Sequence, residues 1–259
     1  MFKRIVHILP ALCLATGTAW AAQSPFIGDW KLDPRRTRMP DEMKIVRKGA
    51  NTYAFDFGGG AETVVVDGSD QKGGYGGTLL SVTPQAPDTW IVERKKDGRL
   101  LLKATWKLAA DGRTLTDYFR QFGSSGALFS MDYVYRRSGA GTGFAADWRS
   151  IKETMNSPFP FQVKPFEGDG LSLVTALGKK TQNVTFDGKE HPFEGPDVYK
   201  GFTASARRLD ARTIEVTDKA GAKLADTETI ALSPDLKTLT VTTHTPGSSR
   251  PSVMVFERG

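Results

Sequence analysis

Four short motifs occur twice in this chain, in the same order and at nearly the same spacing. That duplication restricts the chain to folds built from two copies of one unit. Phe26-Ile27-Gly28-Asp29-Trp30 returns as Phe144-Ala145-Ala146-Asp147-Trp148, 118 residues on. Val66-Asp67-Gly68 is matched by Phe186-Asp187-Gly188, 120 residues on. Asp111-Gly112-Arg113-Thr114-Leu115-Thr116 is matched by Asp235-Leu236-Lys237-Thr238-Leu239-Thr240 at 124, and Val134-Tyr135-Arg136-Arg137 by Val255-Phe256-Glu257-Arg258 at 121. The reading is therefore two units, 23–137 and 144–259. A Gly-rich linker, 138–143, joins them and is too short to let them drift far apart.

Within each unit the apolar residues alternate with polar ones. Leu100, Leu102, Ala104, Trp106 and Leu108 fall on one face of an extended run, with Lys103, Thr105 and Lys107 on the other. A period of two marks a strand with one wet side. Tyr53, Phe55 and Phe57 repeat the pattern, as do Met131, Tyr133 and Tyr135. Lys96-Asp97-Gly98-Arg99 joins two such runs as a tight hairpin turn, where glycine takes positive φ without cost. No segment has the pattern of a long amphipathic helix. The expected fold is all-β, two tandem antiparallel meander units. Each is read as a closed barrel rather than a sandwich, since short consecutive hairpins need no crossover and closure removes exposed edges.

Residues 1–22 read as a secretory signal: Lys3 and Arg4 lead a short apolar stretch that ends in Ala19-Trp20-Ala21. Cleavage near Ala21-Ala22 would deliver a periplasmic or secreted protein. The stretch is too short to span a bilayer, and Pro10 and Gly17 interrupt it. The only cysteine, Cys13, leaves with it, so no disulfide, cysteine nucleophile or cysteine-based metal site is expected. Loss of Lys3 and Arg4 lowers the net charge from +6 to +4, with basic pairs scattered along the chain. A nucleic-acid partner is not expected from such a distribution.

The Gly28-Asp29-Trp30 opening, with a basic residue on the last strand of the unit, resembles the lipocalin-like (calycin) barrels. The chain also resembles tandem-repeat exported bacterial proteins of unassigned function, which share the hairpin at 111–116 and 235–240 and the closing strands at 134–137 and 253–258. The resemblance implies a structural role for Trp30, Trp148, Arg136 and Arg258. A tryptophan would plug the bottom of each barrel beneath a stacked arginine, Arg136 or Arg137 serving Trp30 and Arg258 serving the second unit.

No Gly-x-Ser-x-Gly elbow or His-Glu-x-x-His pair occurs, and only His191 and His244 follow the leader. No catalytic residue, metal set or cofactor is therefore assigned. The glycine stretches at 58–60 and 73–77 lack the Gly-Lys-Ser/Thr ending of a phosphate loop and read as hairpin connections, with Tyr75 a candidate gate. Unit one is the richer in aromatics. Tyr53, Phe55, Trp90, Trp106, Phe119 and Tyr133 are its candidate lumen residues for a small hydrophobic or amphipathic ligand. Asp117 would be the polar group among them; once buried, it would need a hydrogen bond or an arginine such as Arg94 or Arg120. The alternatives are an envelope interaction module with solid barrels, and a hydrolase or isomerase using barrel carboxylates.

Overall fold

The computed structural model describes residues 24–259, except 59, 74–76, 124–125, 158, 176–178, 197 and 199. The leader, Cys13 and Tyr75 lie outside the described residues. Twenty strands form two ten-stranded antiparallel sheets, each nearly closed into a barrel. No helix among the described residues is long and apolar enough to cross a membrane.

Barrel one is a continuous meander. Its strands are β2 (Glu42–Arg47), β3 (Thr52–Asp56), β4 (Ala61–Val65), β5 (Gln71–Lys72), β6 (Leu79–Ala86), β7 (Thr89–Lys96), β8 (Arg99–Leu108), β9 (Thr114–Gly123), β10 (Gly126–Thr142) and β11 (Ala145–Met155). Barrel two contains β12 (Pro160–Phe166), β13 (Gly170–Thr175), β14 (Lys180–Val184), β15 (His191–Pro192), β16 (Phe202–Asp210), β17 (Thr213–Ala220), β18 (Lys223–Leu232), β19 (Thr238–His244) and β20 (Ser252–Arg258). Its tenth strand is β1 (Gly28–Leu32), inserted between β12 and β20.

The opening strands of the two repeats have thus changed places. β1, from the first repeat, pairs with β20 of the second, while β11, from the second repeat, pairs with β10 and β2 of the first. The stretch 138–143, read as a linker, departs from that reading. Residues up to Thr142 belong to β10, which turns directly into β11. A physical reason lies in the alternation at its borders: β10 and β11 have inward-facing Tyr135 and Trp148, so pairing them extends a buried face across the glycines.

The exchange sets the tryptophan–arginine pairs. Trp30 is 1% exposed and its indole N–H donates to the Phe26 carbonyl at 3.0 Å; Trp148, equally buried, donates to the Phe144 carbonyl at 2.9 Å. Arg258 covers Trp30 at 4.2 Å from the ring centroid, and Arg137 covers Trp148 at 5.2 Å. Neither Arg136 nor Arg137 serves Trp30, because β10 lies in the other barrel. The Gly28 position explains the tighter pair: a Cβ there would meet Arg258 Nη1 at 2.8 Å, whereas Ala146 stands at the matching place beside Trp148.

Each sheet ends in a gap bridged by side chains as well as backbone. In barrel one, Gln71 forms two hydrogen bonds with the Val65 peptide, and Glu62 on β4 reaches Arg94 on β7. In barrel two, the backbones of Thr181 and Glu194 exchange hydrogen bonds, and Gln182 on β14 reaches Asp218 on β17 at 2.7 Å. Glu62 and Gln182 are 120 positions apart, and Arg94 and Asp218 are 124, so the repeats use equivalent positions with different charge.

Candidate functional site

A cavity of about 850 Å³ occupies barrel one. That volume is within the range of pockets that enclose drug-sized molecules. Met43, Leu80, Val92, Leu102 and Ala104 supply aliphatic wall, because each is on the inward phase of its strand. Phe57, Trp106, Phe119 and Tyr133 add rings. Lys200 and Phe202 from barrel two complete the lining, and Lys200 is exposed, so the cavity reaches solvent on that side.

Of the ligand-binding residues expected from the sequence, Trp106, Asp117, Phe119 and Tyr133 line this cavity. Tyr53, Phe55 and Trp90 lie instead in a packed aromatic group. Tyr53 meets Trp90 edge-on at 5.1 Å, Phe55 lies 6.3 Å from Trp90, and Phe144 stacks on Trp90 at 4.0 Å. Such contacts favour a solid plug. Phe144 arrives on the chain entering β11, so the strand exchange fills the space that Trp90 would otherwise open. Trp106, at 6.0 Å from Phe55, forms the boundary between plug and cavity.

The polar part of the cavity is a row across three strands. Trp106 on β8 is directly opposite Asp117 on β9, which is opposite Tyr133 on β10. Asp117 is 5% exposed, and its Oδ1 has no hydrogen-bond partner beyond the indole of the opposed Trp106. Burial raises the Asp117 pKa to about 8, with the nearby Asp41 and Asp132 adding to the rise and Trp106 and Arg120 opposing it. Neither arginine suggested as its partner fills that role. Arg94 pairs with Glu62 at 2.9 Å, and Arg120 pairs with Asp132 at 3.4 Å.

Beside this row, the Tyr135 hydroxyl donates to Asp41 Oδ2 at 2.6 Å. Asp41 lies just before β2, where its backbone N–H donates to Ser150 Oγ of β11. Burial raises its pKa, and the Tyr135 hydrogen bond opposes the rise. Burial likewise pushes the Tyr133 and Tyr135 hydroxyls far above their ordinary range, so both remain protonated donors. The Tyr133 hydroxyl has only the sulfur of Met131 as acceptor, at 3.3 Å, a weak interaction. The sequence pattern placed Tyr135 on the inward face, but Asp41 escaped it: a carboxylate in a connection before a strand has no periodicity to betray it.

Barrel two holds a different cluster. Asp218, Asp226 and Glu228 bring one carboxylate oxygen each within 4.8 Å of one another, a spacing that can hold a cation. Burial raises the pKa of all three, that of Asp218 to about 8, and the positive charge of Lys180 opposes the rise in each. Lys180 is thus the counter-charge of the cluster, and proton retention removes the rest of the repulsion. His244 is exposed, and His191 contacts the Thr185 hydroxyl at 3.0 Å.

No family model matches the chain, and no curated protein matches it significantly.

Proposed function

We propose that the protein is an exported, non-enzymatic binding protein that holds a small hydrophobic or amphipathic molecule in barrel one. The observation that carries this reading is the cavity of about 850 Å³, walled by apolar side chains with the buried carboxyl group of Asp117 among them. Apolar walls supply affinity through surface removed from water, and a few polar groups orient the occupant. The paired tryptophan and arginine under each barrel support a lipocalin-like ancestry for both units. The leader read at 1–22 supports a periplasmic or secreted site of action. Barrel two then acts as a companion that contributes Phe202 and Lys200 to the cavity wall.

The test is native mass spectrometry on protein exported with its own leader and purified gently. The expected result is a discrete added mass that disappears on denaturation, together with loss of residues 1–21 or 1–22.

A second reading, proton-transfer catalysis by barrel carboxylates, draws on the presence of Asp41 and Asp117 in one cavity, both with raised pKa. Groups so perturbed are suited to acid–base work. Turnover of a carbonyl compound recovered from the cavity, lost in both Asp41→Asn and Asp117→Asn, would favour it over simple carriage.

A further inference from the structure

We propose that the outer face of β8–β11 docks barrel one on an anionic phospholipid surface. The inference goes beyond the binding reading and does not depend on the cavity.

Register sets the face. Trp106, Asp117, Tyr135 and Trp148 take the inward positions of these strands, so the residues between them point out. Lys107, Thr116, Val134 and Lys152 are successive cross-strand partners and form one outward row. The next row holds Thr114, Arg136 and Arg149. Ile151 is the extra residue at the register shift between β10 and β11, where a bulge aims it into water at 55% exposure. Tyr118, two residues along β9 from Thr116, is 42% exposed.

Positive charge is in excess here. Glu42 is matched by Arg149 at 3.1 Å, Asp132 by Arg120 at 3.4 Å and Asp147 by Lys44 at 3.8 Å. Lys107 and Lys152 are exposed and form no ion pair among the described residues. Beyond Arg136 the face runs into a polar depression of about 660 Å³, walled by Arg113, Arg136, Arg137 and the backbone of 139–143. Asp111, the acidic group in that wall, accepts from the N–H groups of Arg113 and Thr114 and lies in the field of Arg136. Arg137 is spent on the carbonyls of Gly141 and Gly143, which leaves Arg113 and Arg136 to meet a head-group phosphate.

Barrel two has the equivalent strands and lacks this face. Ala231 stands at the position of Lys107, Thr242 at that of Tyr118, and Asp33 and Pro34 at those of Ile151 and Lys152. Arg136 opposite Arg149 becomes Glu257 opposite Lys31, a complementary pair. Like charges directly opposed destabilise a sheet, so the fold does not call for the two arginines; an anionic surface does. Cations around an exposed tyrosine and an aliphatic side chain match a bilayer boundary, the charges meeting head groups while Tyr118 and Ile151 enter between them. A single-stranded nucleic acid would need several rings for its bases to stack on, and Tyr118 is the ring this face exposes.

The experiment is co-sedimentation of the full exported chain with two kinds of vesicle: phosphatidylcholine alone, and three parts phosphatidylcholine to one part phosphatidylglycerol. At about 0.1 M salt the chain should bind the mixed vesicles at least tenfold more tightly, and about 0.5 M salt should remove most of the difference. Lys107→Glu/Lys152→Glu should lose at least tenfold in affinity for the mixed vesicles. Lys48→Glu/Lys223→Glu makes the same change in net charge at exposed positions off the face, and should stay within about threefold of the parent. Tyr118→Ser/Ile151→Ser should weaken binding at least threefold. Circular dichroism confirms that the variants fold.

Equal binding to the two kinds of vesicle overturns the proposal, as do equal losses in the two charge-reversed variants. Sedimentation with neither vesicle overturns it too. Binding of a short DNA duplex in place of the mixed vesicles also overturns it, and assigns the face to nucleic acid.

Discussion

Arg258 lies over the ring of Trp30, 4.2 Å from guanidinium carbon to centroid, and its three donor nitrogens bond the carbonyls of Leu236, Ile27 and Pro25. The second-last residue of the chain thereby fastens its first strand into barrel two. The same contact in barrel one is made by Arg137 on Trp148, so each tryptophan is capped by the final strand of the other repeat.

This exchange predicts a pattern of coupling. A double-mutant cycle between Trp30→Phe and Arg258→Ala should give an interaction energy of about 1 kcal/mol, read from chemical denaturation. The cycle between Trp30→Phe and Arg137→Ala should give nothing beyond error. Coupling in the second pair and not the first would mean that each unit keeps its own opening strand.

Gly28 has φ of +149°, and its missing Cβ leaves room for the Arg258 guanidinium. Gly28→Ala should destabilise the protein by about 1–3 kcal/mol, combining backbone strain with displacement of Arg258. A drop in thermal midpoint measures it, and Arg258→Ala should absorb part of the effect.

Glu62 is 4% exposed and pairs with Arg94 across the gap between β4 and β7. Removing one member of a buried pair leaves the other charge in a poor solvent. Glu62→Ala should cost about 3 kcal/mol in an unfolding titration and accelerate amide exchange in β4 and β5, whose positions depend on that bridge.

The carboxylate cluster of barrel two predicts a pH dependence. The folded-state pKa of Asp218 is raised to about 8 and those of Asp226 and Glu228 are raised as well. A folded state that holds protons which the unfolded chain releases is most stable in acid. Stability should therefore decline as pH rises from about 4 to about 8, by about 1.4 kcal/mol per unit for each proton retained. Asp218→Asn should flatten the decline and exceed the parent in stability at pH 8. A parent stability that rises across this window would contradict the assignment.

Much of the fold could be read in the sequence, because inward positions on strands such as β7, β8 and β9 alternate over most of their length, broken between β7 and β8 only where the register shifts at Arg94 and Lys95. The Asp97-Gly98 turn also declares itself, and both residues have positive φ, 50° and 74°. The exchange of β1 and β11 could not be read. The two motifs are near copies, so either satisfies either barrel, and only the choice of partner differs. For the same reason the sequence does not show that Arg258, rather than Arg136 or Arg137, covers Trp30. In the site, Trp106, Asp117, Phe119 and Tyr133 were accessible through their alternation, whereas the burial of Tyr53, Phe55 and Trp90 in a plug depends on Phe144 arriving from the other repeat. Asp41 and the contributions of Lys200 and Phe202 are products of tertiary placement, which no local pattern encodes.

A ligand-sized apolar lumen in barrel one should bind 1-aminoanthracene, titrated against the parent protein and Ala104→Phe. Ala104 is 2% exposed and lines the cavity, so a phenyl ring there occupies the lumen. Saturable binding of one dye per chain is expected, weakened at least tenfold in the folded variant. Absence of saturable binding to the parent, or equal binding by both proteins, would contradict it.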